Sequence, residues 1–212
     1  MGSVREASGK APGRLRLAQA FVNTRFGSGK QLHEALGSEE EARAWLVRHG
    51  LLSEDAHISE GDVRRMRDAR EALRTLLRAN TPARHDSAQS STVQTTPERI
   101  VEAQHALNAI AAYAPLTVRF DDAGHTALEP DIAGVEGALA RLLSVAPLAQ
   151  ADGTWRRLKI CAHDACGVAF YDRSKNHSGV WCAMERCGNR VNARASRARR
   201  RNTSAVAERR GE

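Results

Sequence analysis

The sequence predicts a mainly α protein: a helical N-terminal domain with one small β-hairpin, followed by a short C-terminal module gathered around four cysteines. Three observations carry this prediction. Aromatic residues make up only 4 % of the 212-residue chain, and the abundance of Ala, Leu and Arg favours helices over a β-rich sandwich. Apolar residues recur at three- and four-residue spacings in five separate segments, the period of a helix with one buried face. All four cysteines fall within 27 residues near the end of the chain. The length suits one or two domains with a real core in at least one.

Taken in order, residues 1–13 are polar and basic and are expected to be disordered. Leu15, Ala18, Phe21 and Val22 mark a first helix over 14–23, ending before a Gly27-Ser28-Gly29 turn. Ser38-Glu39-Glu40-Glu41 reads as a capping box for a second helix, with Ala42, Trp45 and Leu46 inward and Gly50 beyond its end. Ser59-Glu60-Gly61-Asp62 opens a third, longer helix with Val63, Met66, Ala69, Leu73, Leu76 and Leu77 on one face. The stretch 80–95 has the composition of a mobile loop. Thr96-Pro97-Glu98 supplies an N-cap and a first-turn proline for a fourth helix, with Ile100, Ala103, Leu107, Ile110 and Ala111 facing inward. Thr117–Phe120 and Thr126–Glu129 flank a turn and read as the hairpin. A fifth helix after Pro130 carries Ile132, Val135, Leu139, Leu142 and Leu143. The expected organisation is a helical domain over 14–150, a boundary near 146–156, a finger-like module over 157–202 and a flexible tail over 203–212.

The cysteines stand as Cys161-x4-Cys166, fifteen residues, then Cys182-x4-Cys187. Two close pairs joined by a longer loop suit a tetrahedral zinc site, each pair forming a knuckle with converging thiolates. Paired disulfides and an iron–sulfur cluster are the alternatives. The chain shows no secretory signal and no apolar run long enough for a membrane span, so a reducing cytoplasmic setting is expected, which favours metal over disulfides. His163 lies inside the first knuckle but is superfluous once four thiolates close the coordination sphere. One zinc ion with no open position is structural rather than catalytic. The module is too small to fold on apolar burial alone, so the metal contributes much of its stability. Short alternating segments around the first pair complete a four-cysteine zinc finger made of a short β-hairpin and a basic helix.

Charge is concentrated in this module. Residues 151–212 carry a net +8 and residues 1–150 a net −1, the arrangement expected of a polyanion binder. On a helical wheel Met184, Cys187, Val191, Ala195 and Ala198 form one face, and Arg186, Arg190, Arg194, Arg197 and Arg201 the opposed one. Arg199 and Arg200 extend the basic side, and no Asp or Glu occurs between Gly188 and Thr203. Arginine suits nucleic acid because its guanidinium forks onto phosphate oxygens and guanine edges. Lys159, Arg173 and Lys175 are expected to add to the same surface.

Cys187-Gly188-Asn189-Arg190 resembles the signature of the CGNR zinc-finger family. The likeness covers residues 157–201, including Phe170-Tyr171-Asp172, Ser174-Lys175-Asn176 and Trp181-Cys182-x-Met184. The family's usual basic residues ahead of the tryptophan are reduced here to His177-Ser178-Gly179-Val180. In that family a helical ABATE domain usually precedes the finger, and its proteins are taken to be bacterial stress-related transcription regulators. Phe21-Val22-Asn23-Thr24 and Trp45-Leu46 ahead of Gly50-Leu51-Leu52 resemble that domain. The resemblance implies a zinc-dependent regulator that binds double-stranded DNA in the cytoplasm at the nucleoid, with homodimerisation and a small-molecule effector as further expectations. Asn23 and Thr24 then either line an effector pocket or cap the first helix. An RNA-binding or ribosome-associated protein is the alternative. An enzyme is disfavoured, because His33, His49, His57, His85, His105 and His125 show no metal spacing and Gly27-Ser28-Gly29-Lys30 lacks the upstream glycine of a phosphate loop.

Overall fold

The computed structural model describes residues 9–82, 95–194 and 196–197. Residues 1–8, most of the polar loop, Ala195, Ala198, Arg199, Arg200, Arg201 and the C-terminal tail lie outside the described residues.

Six α-helices and three two-stranded antiparallel sheets precede a C-terminal helical segment among the described residues. Helix α1 (Leu15–Val22) buries Leu15, Ala18, Phe21 and Val22 as its spacing predicts, and also Gln19. Short strands β1 (Arg25–Phe26) and β2 (His33–Glu34) enclose the glycine turn. Helix α2 (Glu39–Arg48) is capped by Ser38, whose hydroxyl accepts from the Glu41 N–H. The reciprocal arm reaches one residue further than the box requires: the Glu41 carboxylate accepts from the Gly37 N–H at 2.9 Å. Helix α3 (Glu60–Ala79) opens with a complete Ser59–Asp62 capping box and forms the spine against which α1, α2, α4 and α5 pack.

Helix α4 (Pro97–Ala112) starts at its Thr96 cap and buries Ala103 and Leu107. Ile100 and Ile110 are only half-buried and Ala111 is exposed, because α4 covers one side of α3 and faces solvent on the other. The hairpin is one residue longer at each outer end than expected, pairing β3 (Leu116–Phe120) with β4 (Thr126–Pro130). Helix α5 (Gly134–Leu143) starts after Ile132, which lies in the preceding turn and stays exposed instead of joining the buried stripe. A further short helix, α6 (Val145–Ala151), occupies the stretch read as a boundary and buries Val145 and Ala149. Pro147 sits in its first turn, where no intrahelical N–H is required, so the proline does not prevent the helix.

The last sheet pairs β5 (Leu158–Ile160) with β6 (Ala169–Tyr171), with Leu158 opposite Tyr171 and Ile160 opposite Ala169. Successive strand residues face opposite sides, and here the two sides meet different cores. Leu158, Ile160 and Ala169 join the helical core. Val168 and Phe170 join a second cluster with Cys161, Cys182 and Cys187. One small hairpin thus welds the cysteine module to the helices. Residues 9–11, expected to belong to a disordered terminus, also lie against it: the Tyr171 N–H donates to the Gly9 carbonyl at 2.9 Å and Ala11 is fully buried.

Candidate metal centre and basic helix

The first knuckle is closed by two backbone bonds, Cys161 N–H to the Val168 carbonyl at 2.9 Å and Cys166 N–H to the His163 carbonyl at 2.8 Å. A third, from the Ala162 N–H to the Val180 carbonyl at 2.9 Å, brings the second cysteine pair alongside. The ligand atoms of Cys161, Cys166, Cys182 and Cys187 all lie within 4.8 Å of one another. Cys166 and Cys182 sulfurs are 3.6 Å apart and Cys182 and Cys187 sulfurs 3.7 Å. Zn–S bonds of about 2.3 Å in a tetrahedron place sulfurs about 3.8 Å apart, so the four thiols fit one zinc ion. All four are free cysteines, and these separations are far beyond a disulfide bond.

Electrostatics point the same way. Hydrogen bonds from its neighbours favour ionisation of Cys166. The thiol of Cys161 is pushed up chiefly by Cys166, that of Cys182 by Cys161 and Cys166, and that of Cys187 by burial and the Cys166 charge. Four adjacent sulfurs cannot all ionise without a cation between them, and a divalent ion removes that repulsion. His163 is not among the clustered ligands; its Nδ1 is buried without a hydrogen-bond partner.

The segment after Trp181 starts with a wide turn, Met184–Gly188, in which the Gly188 N–H reaches back to the Ala183 carbonyl at 3.3 Å. Helical backbone continues over 189–194 and 196–197. The extra residue in that turn shifts the phase, so Met184 leaves the apolar face and is 55 % exposed, while Cys187 remains buried. Gly188 is fitted to this turn, since a Cβ there would meet the Met184 sulfur and the Trp181 ring. Arg190, Arg194 and Arg197 are exposed and Arg186 is half-buried. Lys175 and Arg173 are also exposed, the Arg173 guanidinium donating to the Lys10 carbonyl at 3.0 Å.

Lys159 is not on this surface. It points inward at 1 % exposure and donates to the Asp172 carboxylate at 2.7 Å and to the His177 and Gly179 carbonyls at 2.5 and 3.1 Å. The period-2 alternation of β5 turns it toward the metal module, where a lone cation is tolerated only because three oxygens meet it. Burial alone would raise the Asp172 pKa. The Lys159 ammonium and the Ser174 and Gly179 N–H groups override that and hold it well below the ordinary carboxylate range. Asp172 therefore organises the 172–179 loop, a role with no spacing signal in the sequence. Gly179 approaches its carboxylate so closely that a Cβ would fall 2.7 Å from Cγ and Oδ1. Gly179→Ala is expected to lower stability by about 1–3 kcal/mol through overpacking, measurable by urea denaturation of the zinc-loaded protein.

The helices grip the first knuckle by polar contacts as well. The Gly27 N–H donates to the Cys166 carbonyl at 2.6 Å. Arg74, buried on α3, donates to the carbonyls of Gly167, Val22 and Arg25, the last two on the helical side. Burial lowers the Arg74 pKa to about 10, which leaves it charged at neutral pH. The Asn23 side chain accepts from the Ala169 N–H at 2.7 Å and donates to the Ala169 carbonyl at 2.8 Å, pairing with β6 as a neighbouring strand would. Thr24 is fully buried; its hydroxyl donates to the Phe21 carbonyl and accepts from Arg70, itself paired bidentately with Glu34. Asn23 also borders a cavity of about 250 Å³, whereas Thr24 does not line it.

A helical domain joined through a shared hairpin to a four-cysteine, zinc-binding module defines a zinc-finger protein whose metal role is structural. Two family models match it: residues 15–166 match ABATE, described as "Putative stress-induced transcription regulator", and residues 157–200 match the CGNR zinc finger. The chain belongs to the ABATE family and carries a CGNR zinc finger. The two matches overlap over β5 and the first knuckle, the stretch whose side chains divide between the two cores. Comparison with curated proteins finds no match. Neither matched family is an enzyme family. Among the described residues no helix is long and apolar enough to cross a membrane.

Proposed function

We infer that this protein is a transcription regulator that binds double-stranded DNA through the helix rooted in its zinc site. The supporting observation is the opposition of two faces on one segment. Cys187 is buried toward the metal, while Arg190, Arg194 and Arg197 are turned to solvent. Zinc thus orients a row of guanidinium groups rather than activating a water molecule. Arg186, Lys175, Arg173 and the outlying Arg199, Arg200 and Arg201 extend the positive charge available to phosphates. The helical domain senses an effector or joins two copies, since one small module buries too little surface for specific recognition.

Replacing Arg190 and Arg194 together by Ala is expected to weaken duplex binding and to flatten its salt dependence by about 0.9 in log–log slope per lost phosphate contact. Fluorescence anisotropy with labelled duplex over a salt series reads both quantities. Unchanged affinity and slope would sink the proposed orientation of the helix. Preferential binding of structured RNA at matched salt would reassign the same surface to RNA.

A further inference from the structure

The cavity beside α1 has a chemical character that its lining makes specific. Lys10, Arg16 and Arg48 reach its walls and no carboxylate does. Among the described residues none of these three cations takes part in an ion pair, although the N-terminal body as a whole is nearly neutral. One wall is aromatic: the half-buried His49 stacks over Trp45, with ring centroids 4.1 Å apart and planes 24° from parallel. Trp45 is itself buried between His49 and Phe21, so His49 is the ring left accessible. His49 Nδ1 donates to the Trp45 carbonyl at 2.7 Å, which fixes the ring and leaves Nε2 for another partner.

The polar floor is already committed. Gln19 accepts from the Ala11 N–H and donates to the Gly9 and Ala169 carbonyls, while the Asn23 amide is paired with Ala169. Neutral hydrogen-bonding capacity is thus largely consumed, and what the cavity offers a ligand is positive charge beside the flat His49 ring. Its volume of about 250 Å³ lies just below the usual range for small-molecule sites and suits a small ligand.

We propose that this cavity binds a small organic anion, a carboxylate or phosphate carried on a planar apolar group. The anion is met by Lys10, Arg16 and Arg48, and the planar group lies against the His49 ring that covers Trp45. This gives a chemical class to the effector in the proposed function, but the site rests on its own geometry and does not depend on DNA binding. Its position gives it a route to the finger. Lys10 lies on the segment held to β6 through Gly9, and its own carbonyl accepts from Arg173 of the finger.

The test is titration of the full-length, zinc-loaded protein, without DNA, with benzoate, phenyl phosphate and neutral benzamide at constant ionic strength. Binding is followed by calorimetry and by the amide and indole NMR signals of residues 10–23 and 45–49. Saturable binding of benzoate or phenyl phosphate is expected, with benzamide about ten-fold weaker or worse. Whichever anion binds more tightly identifies the head group. Lys10→Gln and Arg48→Gln, both at exposed positions, are expected to lose about ten-fold in affinity while keeping the melting temperature. No saturable binding of either anion, equal binding of benzamide, or unchanged affinity in both variants would overturn the proposal. DNA binding measured separately leaves the two readings independently testable.

Discussion

Removing zinc is expected to unfold the C-terminal module and to lower the melting temperature of the helical domain with it. The first part follows from size. The cysteine-side cluster consists of a few residues around the sulfurs themselves, and structural zinc contributes about 10–16 kcal/mol to folding of such modules. The second follows from the shared hairpin. β5 and β6 give Leu158, Ile160 and Ala169 to the helical core, and Gly27, Asn23 and Arg74 donate to backbone groups of residues 166–169. When the knuckle opens, these donors lose their acceptors, each at a cost of about 1–3 kcal/mol if it stays buried. Circular dichroism melts of metal-loaded and chelated protein measure the effect, with Cys182→Ser as the genetic counterpart. A helical domain that melts identically with and without zinc would show that the two cores are independent. Native mass spectrometry should find one zinc ion per chain in the loaded form.

The second large effect is expected at the buried ion pair. Asp172→Ala leaves the Lys159 ammonium at 1 % exposure with its two carbonyl partners but without a counter-charge. Breaking a buried pair by removing one partner costs about 3–5 kcal/mol. The loss should appear in urea denaturation of the zinc-loaded protein at pH 7. Adding Lys159→Met to Asp172→Ala serves as the control, because the double variant also removes the uncompensated cation. The pH dependence has a definite sign. The Asp172 pKa is depressed in the folded protein, against about 3.9 in the unfolded chain. Its contribution is therefore complete above about pH 4 and is lost as pH falls through the folded value. The stability difference between wild type and Asp172→Asn should stay constant from neutral pH down to about 4 and narrow below it. Zinc content is followed in the same samples, because acid release of the metal unfolds the module that holds the pair and narrows the difference as well. A difference below about 1 kcal/mol at pH 7 would mean that the pair is solvated in solution.

Much of the local architecture was legible in the residues. Ser38, Ser59 and Thr96 cap the helices that they were expected to open, because a cap is a bond between residues three apart. The cysteine spacing led to one four-sulfur cluster for the same reason: each knuckle closes within six residues. What the residues did not show depends on partners far along the chain. Lys159 reads as a surface cation until Asp172, His177 and Gly179 converge on it. Arg70 and Arg74 interrupt an otherwise apolar stripe on α3, yet both are buried because Glu34 and distant carbonyls receive them. Asn23 does end α1 and border the cavity, and its side chain also pairs with Ala169, 146 positions away, which no local spacing signals.

The amino-acid sequence by itself determined the helical body, the four-thiolate zinc site and the arginine-bearing segment that follows it. These depend on periodicity, capping and spacing, which are properties of neighbouring residues. Only the tertiary structure decided that the finger is fused to the body through one two-faced hairpin, that Lys159 belongs to the interior, and that Lys10, Arg16 and Arg48 converge on one cavity. Each of those outcomes turns on which distant groups meet, and burial makes an unpaired charge or N–H too costly to leave unmatched.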